Sequence, residues 1–191
     1  MTLRDSERPY GQEVDVEFSI SEEGRLIEEQ VVRFITEKII PNERTYAQQI
    51  HSVANGNDPP IMKSLRADAK RLGLWNLFLP DPDWGPGVSN HDYSVLCEHM
   101  GRSQIASRVF NCQAPDTGNI EILAEFGTDA QKEKWLKPLL EGEIRSCFSM
   151  TEPDVSGADP TGLRTLAQRD GDDWVINGHK WFTSGAIGAK F

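Results

Sequence analysis

Up to Gly142 the apolar residues return every three or four positions, and beyond it they alternate. A first helix is predicted to begin at Ser21, with Glu22 and Glu23 in its first turn, where the helix dipole favours acids. Ile27, Val31, Phe34, Ile35 and Ile39 form its apolar stripe, and Pro41 limits its continuation. A second helix runs through Tyr46 and Ile50 before Asn55-Gly56-Asn57-Asp58-Pro59-Pro60 breaks the chain. Ile61 to Leu72 is amphipathic, with Ile61, Leu65, Ala69 and Leu72 on one side and Gly73 placed to cap its end. Leu74 to Pro80 reads as an apolar connector and Asp81 to Asn90 as a loop. Within that loop Gly85-Pro86-Gly87 is a turn rather than a phosphate cradle, since no Lys-Ser/Thr follows and Pro86 has no amide to give. His91 to Met100 is helical, with Tyr93, Leu96, Cys97 and Met100 on a common face, and Gly101 ends it. The next helix spans Ile105 to Ala114 or runs on to Phe126, with Pro115 breaking or kinking it. Thr128 and Gln131 have capping-box spacing; Trp135, Leu136, Leu139 and Leu140 fill the inner face of the helix they open, and Gly142 stops it.

After Gly142, Ile144 to Met150 and Thr165 to Gln168 read as strands, and Gly171-Asp172-Asp173 as a turn. Trp174 to Ile176 is a further strand, Asn177-Gly178 a hairpin turn, and Lys180 to Ser184 the returning strand. The expected fold class is α+β: an arm over residues 1–20, an all-α helical bundle over 21–143, then a truncated antiparallel β domain over 144–191. Short strands with open edges make a poor independent sheet, so the β domain is expected to be incomplete. In the arm, Val14, Val16 and Phe18 alternate and could pair or pack.

Composition narrows the function classes. Hydrophobic content of 38% and charged content of 26% are those of a globular protein. Net charge is −10, with 30 acidic against 20 basic residues, which disfavours a nucleic-acid partner. No run reaches membrane-spanning length and no signal-type apolar segment opens the chain, leaving the cytoplasm as the default expectation. Cys97, Cys112 and Cys147 are odd in number and far apart, and the four histidines are scattered, so neither a disulfide framework nor a metal site is expected. Cys112 and Cys147 read as core-filling residues.

The stretch with chemical character is Phe148-Ser149-Met150-Thr151-Glu152-Pro153, echoed by Trp181-Phe182-Thr183-Ser184. Each offers a hydroxyl, backbone amides and a large ring, which suits a planar heterocycle needing hydrogen bonds on its edge and apolar cover on its face. Taken alone, Thr-Glu-Pro after an apolar run more often makes just an ordinary turn.

These two stretches, with Asn177-Gly178-His179-Lys180 leading into the second, resemble the flavin-binding signature of the acyl-CoA dehydrogenases. The likeness extends to Gly73–Pro80, Phe110–Asn119 and Gln131–Pro138, and is similar to the branch whose large animal members carry this domain behind a kinase-like one. The resemblance implies an FAD enzyme that removes hydrogens from the α and β carbons of a fatty acyl-CoA, working in β-oxidation. It would pass electrons to an electron-transfer flavoprotein and act as a homodimer or homotetramer. On it, Thr151 would bond the pyrimidine edge of the flavin, Phe148 and Met150 would add strand contacts, Trp181 would pack along the rings, Thr183 would approach N5, and Phe182 and Ser184 would flank them. Many family members carry a serine on the CoA side where this chain has Ala158; Ser156 or the backbone of Gly157 could substitute. Where others often have Tyr or Trp, this chain has Phe148, without a phenolic hydroxyl. The acyl chain would lie along Gln113–Gly118, including Thr117. Glu152 reads as a turn stabiliser; the resemblance puts the catalytic base in a C-terminal helical domain beyond Phe191, so no catalytic residue is expected here. A flavin oxidase of the same fold (acyl-CoA or nitroalkane oxidase) and a non-catalytic helical interaction module are the alternatives.

Overall fold

The computed structural model describes residues 19–54 and 57–191; the arm up to residue 18, with its Val14, Val16 and Phe18, lies outside the described residues. The first helix, α1 (Glu22–Phe34), starts where expected. Ser21 accepts the N–H of Gly24 on its hydroxyl at 2.9 Å, while its own N–H and hydroxyl donate to Asp92 at 2.9 and 2.8 Å. Asp92 sits in the first turn of α4 (Asn90–Met100), itself capped by the Ser89 hydroxyl, so one carboxylate ties two helix starts together. The Ser21 N–H above all holds that carboxyl below its ordinary range. Gly24 is required here: a Cβ would stand 2.7 Å from the Asp92 carboxyl carbon.

From Ile35 to Ile39 the helix loosens into a π-turn, then tightens to a 3₁₀ turn (Ile40–Asn42) around Pro41 before α2 (Glu43–Ile50). The stripe Val31, Phe34, Ile35 and Ile39 is buried through this change, and Phe34 meets Phe110 with ring centroids 5.5 Å apart. Helix α3 (Pro60–Arg71) buries Met62, Leu65 and Ala69 but leaves Leu72 exposed, so its inner face is turned from the one the sequence indicated. Gly73, at φ 74°, lets the chain turn so that Leu74, Leu77, Phe78 and Leu79 of the connector enter the core.

The helix expected from Ile105 is much shorter: α5 covers Ala106–Val109 only, and α6 starts afresh at Asp116–Phe126. Asn111 takes a left-handed conformation (φ 56°) that ends α5, because its side-chain amide is needed elsewhere, donating to Asn76 at 2.7 Å and to the Leu139 carbonyl at 3.2 Å. The Thr128–Gln131 capping box is present and opens α7 (Asp129–Gln131), which continues through a second π-turn (Lys132–Leu136) into α8 (Lys137–Leu140). Gly142 leaves at φ 63°, close against Arg66 and Trp75. One core joins these helices, with α1 on α4, α2 and α5 on α3, and α6 on α8. Each large side chain so buried contributes about 1.5–3 kcal/mol.

Two strands form the sheet, β1 (Leu166–Asp170) and β2 (Asp173–Asn177), antiparallel, with Leu166 opposite Asn177 and Gly171-Asp172 as the turn. The turn expected at Asn177-Gly178 is not one. Gly171 at φ 62° already closes the hairpin, and Gly178 instead passes so close to Thr165 that a Cβ would collide with its side chain. Ile144–Met150 and Lys180–Ser184 are likewise not ladder strands. Phe182 at φ 53° interrupts the second, and the first is tied by single backbone bonds to the last residues, the Lys190 N–H donating to the Arg145 carbonyl and the Cys147 N–H to the Phe191 carbonyl. No helix among the described residues is long and apolar enough to cross a membrane.

Candidate functional site

The segment 148–152 is held to the helical bundle from one end and to the late segment from the other. On the bundle side Asp116, at the start of α6, accepts the Ser146 N–H at 2.8 Å and its hydroxyl at 2.7 Å. Asn119, a turn later, donates to the Ser146 hydroxyl and the Cys147 carbonyl. On the other side Glu152 is a buried hub. It accepts the N–H groups of Arg164 and Thr165 at 2.7 and 2.9 Å and the Lys180 ammonium at 2.8 Å, while Lys180 also donates to the Met150 carbonyl at 2.8 Å. The Lys180 ammonium first, then Thr165 and the Arg164 N–H, hold the Glu152 carboxyl well below the usual carboxylate range. A carboxylate so engaged is a clasp between three segments and a poor proton acceptor. This is the turn-stabilising role the sequence suggests; its partner Lys180 lies 28 residues away, beyond the reach of local pattern.

The early and late segments lie side by side. The Trp181 N–H donates to the Thr151 carbonyl at 3.1 Å, and the Ser149 and Thr183 hydroxyls are 2.8 Å apart. Residue 151 thus faces 181 and residue 149 faces 183, which puts Thr151 and Thr183 on adjacent segments two positions of register apart. Among the described residues the N–H groups of Ser149, Met150, Thr151 and Thr183 donate to no protein acceptor. Phe148, Trp181 and Phe182 are 56%, 43% and 78% exposed, and Trp181 and Phe182 pack on each other at 4.7 Å. Phe182 at φ 53° is a strained conformation for an aromatic residue and turns its ring outward. Hydroxyls, free amides and bare rings on one stretch fit a flat, hydrogen-bonding ring system.

Other predicted residues sit around this wall. Gly157 packs beside the Thr151 side chain, whereas Ser156 and Ala158 are exposed. A cavity of about 200 Å³ lies between Gln113–Asp116 of the bundle and Ser184, Gly185 and Gly188 of the late segment. Ser184 therefore belongs with the bundle-side cavity; Thr117 is half-buried and outside its lining. The Gln113 side-chain oxygen is buried with no partner among the described residues. Cys112 is a packing residue, its thiol pushed up to about 12 by burial. Among the described residues no group of histidine, cysteine and carboxylate side chains could hold a metal.

A helical bundle leading through one extended segment into an antiparallel hairpin, with an aromatic and hydroxyl wall at the junction, defines a two-part α-then-β architecture. The chain belongs to the acyl-CoA dehydrogenase family: residues 21–143 match its N-terminal domain and residues 147–191 its middle domain. It is 48% identical over 168 residues to acyl-CoA dehydrogenase family member 10 of Mus musculus, covering 85% of this chain and 16% of that protein. It is 46% identical to family member 11 of Homo sapiens, covering 84% of this chain and 21% of that protein. Among solved structures, glutaryl-CoA dehydrogenase from Mycobacterium smegmatis in complex with FADH2 superposes with a TM-score of 0.64 at 25% identity, over 89% of this chain and 41% of that one. The chain thus spans about a fifth of the animal relatives' length.

Proposed function

We propose that this chain supplies the acyl-chain side and one flavin-facing wall of an FAD-dependent acyl-CoA dehydrogenase. The observation that carries the reading is the lateral pairing of the two segments, Trp181 to Thr151 and Ser149 to Thr183. It makes one continuous polar and aromatic surface from residues some thirty positions apart. Bound FAD would supply the acceptor for the β hydride of the thioester. Thr151 and the free N–H groups of its segment would hold negative charge on the edge of the ring, the task for which preorganised donors are effective. Trp181 would cover the ring face and exclude water, with Phe148 and Phe182 extending the apolar cover; Met150 and Thr183 would fix its lateral position. The cavity between Gln113–Asp116 and Ser184 would take the acyl chain, and the Gly157 backbone, beside Thr151, is the CoA-side contact better placed than the exposed Ser156 or Ala158. With Glu152 committed to Lys180, the base that takes the α proton is sought in the parts of the relatives that this chain does not span. Homo-oligomerisation and an electron-transfer flavoprotein as acceptor belong to the same proposal.

The test is spectroscopic. The full protein should carry a flavin whose visible absorbance bleaches on anaerobic addition of a saturated acyl-CoA, and Thr151→Val should weaken flavin retention by about tenfold, the worth of one charge-assisted hydrogen bond. Absorbance that stays unchanged with saturated acyl-CoAs of short, medium and long chain would remove the dehydrogenase reading. Reoxidation by dioxygen at the rate of turnover would favour the oxidase alternative.

A further inference from the structure

Behind the wall, where the bundle meets the last residues of the chain, Asp58 receives three guanidinium groups. Arg66 Nη1 lies 2.5 Å from its carboxylate, Arg108 Nη2 2.7 Å and Arg145 Nη2 3.3 Å. Arg145 Nη1 also stands 3.8 Å from Asp116, so two carboxylates face three arginines and do not neutralise them. Arg108 also donates to the Tyr46 hydroxyl and Arg66 to the Gly142 carbonyl, yet Nε of both Arg66 and Arg108 is buried without a partner among the described residues. Burial and the nearness of Arg145 and Arg108 depress the Arg66 guanidinium, the mark of cations pressed together. The same cluster opens on a cavity of about 440 Å³ whose walls add Lys63 and Lys190, against which Glu143 is the one further carboxylate. Positive charge is thus concentrated in a chain whose overall charge is −10.

We infer that this cavity is a binding site for an oxyanionic group, a phosphate or carboxylate, held by Arg66, Arg145, Lys63 and Lys190 over the arginine-bound Asp58. Arginine suits such a group because its fork offers paired donors to two oxygens, and the lysines add charge at the rim. The Asp58 oxygens are already taken by arginine and present little repulsion to an arriving anion. Arg145 and Gly188 line this cavity and also the smaller one beside Gln113–Asp116. The anion can therefore be a free ion or the charged end of a ligand lying in the smaller cavity. The second source rests on the acyl-chain placement proposed above; the first does not.

Calorimetric titration of the full protein separates these. Inorganic phosphate should bind saturably at low ionic strength, about tenfold more weakly in Arg145→Met. Lys63→Met combined with Lys190→Met, both at exposed positions, should also weaken binding without moving the thermal midpoint. In the second arm, an acyl-CoA with a terminal carboxylate is compared with the uncharged chain of the same length. Tighter binding of the charged chain, lost in Arg145→Met, assigns the anion to the acyl ligand. Phosphate binding with no such preference assigns the free ion. If neither ligand shows Arg145-dependent binding, the site is a structural ion cluster and the inference is wrong, whatever the flavin experiment shows.

Discussion

Glu152 shows how one side chain can hold three segments of a chain together. Its carboxylate joins the turn after Thr151, the approach to β1 and the start of the late segment, and those bonds keep Thr151 beside Trp181. Because the folded state holds this carboxyl below its ordinary value, its contribution is complete above the unfolded value of about 4.3 and is lost as pH falls toward the folded one. Glu152→Gln should therefore lower the thermal midpoint at pH 7. The gap to the wild type should narrow steadily below about pH 4.3, since acid removes from the wild type what the substitution has already removed. A gap independent of pH would show that the charge of Glu152 is not what holds the clasp. The sequence read the residue's role correctly but could not supply its partners, which arrive from 12 to 28 positions away.

At the scale of elements, caps were the most legible signals. Ser21, Thr128 and Gly142 end or begin helices where their chemistry says they should, because a cap needs only residues within one turn. Ser21→Ala should cost about 1 kcal/mol from the cap alone and more in this protein, since the hydroxyl also reaches Asp92 of α4. Chemical denaturation of the variant, with Ser89→Ala as the companion, measures this, and a double variant that loses less than the sum of the two would show that they share Asp92. The failures are equally local in cause. Helix α5 stops at Val109 because Asn111 is drawn to Asn76 and the Leu139 carbonyl, groups 35 and 28 positions distant. Leu72 faces outward because Met62, not Ile61, leads the buried row of α3.

In the whole molecule the helices share one core, while β1 and β2 are exposed on every residue, with Trp174 and Ile176 at 57% and 69%. A two-stranded hairpin with both faces open is marginal in water. Hydrogen exchange on this chain should show the amides of residues 166–177 exchanging far faster than those of Leu96 to Met100 in α4, despite complete pairing of the ladder. Equal protection would mean that the hairpin is stabilised by more than its own bonds. The arginines around Asp58 belong to this scale too: Arg66, Arg108 and Arg145 come from three separate regions, and nothing in the spacing of Lys and Arg along the chain announces that they meet.

What the amino-acid order determined is what neighbours within a turn or two enforce: helix stripes, caps, the Gly171 turn and the two motifs that carry the wall. Tertiary structure alone decided which carbonyl Trp181 reaches, where Lys180 ends, how α5 is cut short and that three arginines converge on one aspartate. These outcomes depend on satisfying buried polar groups across long loops of chain. That energy appears only once the bundle has closed and water has been excluded from between the segments.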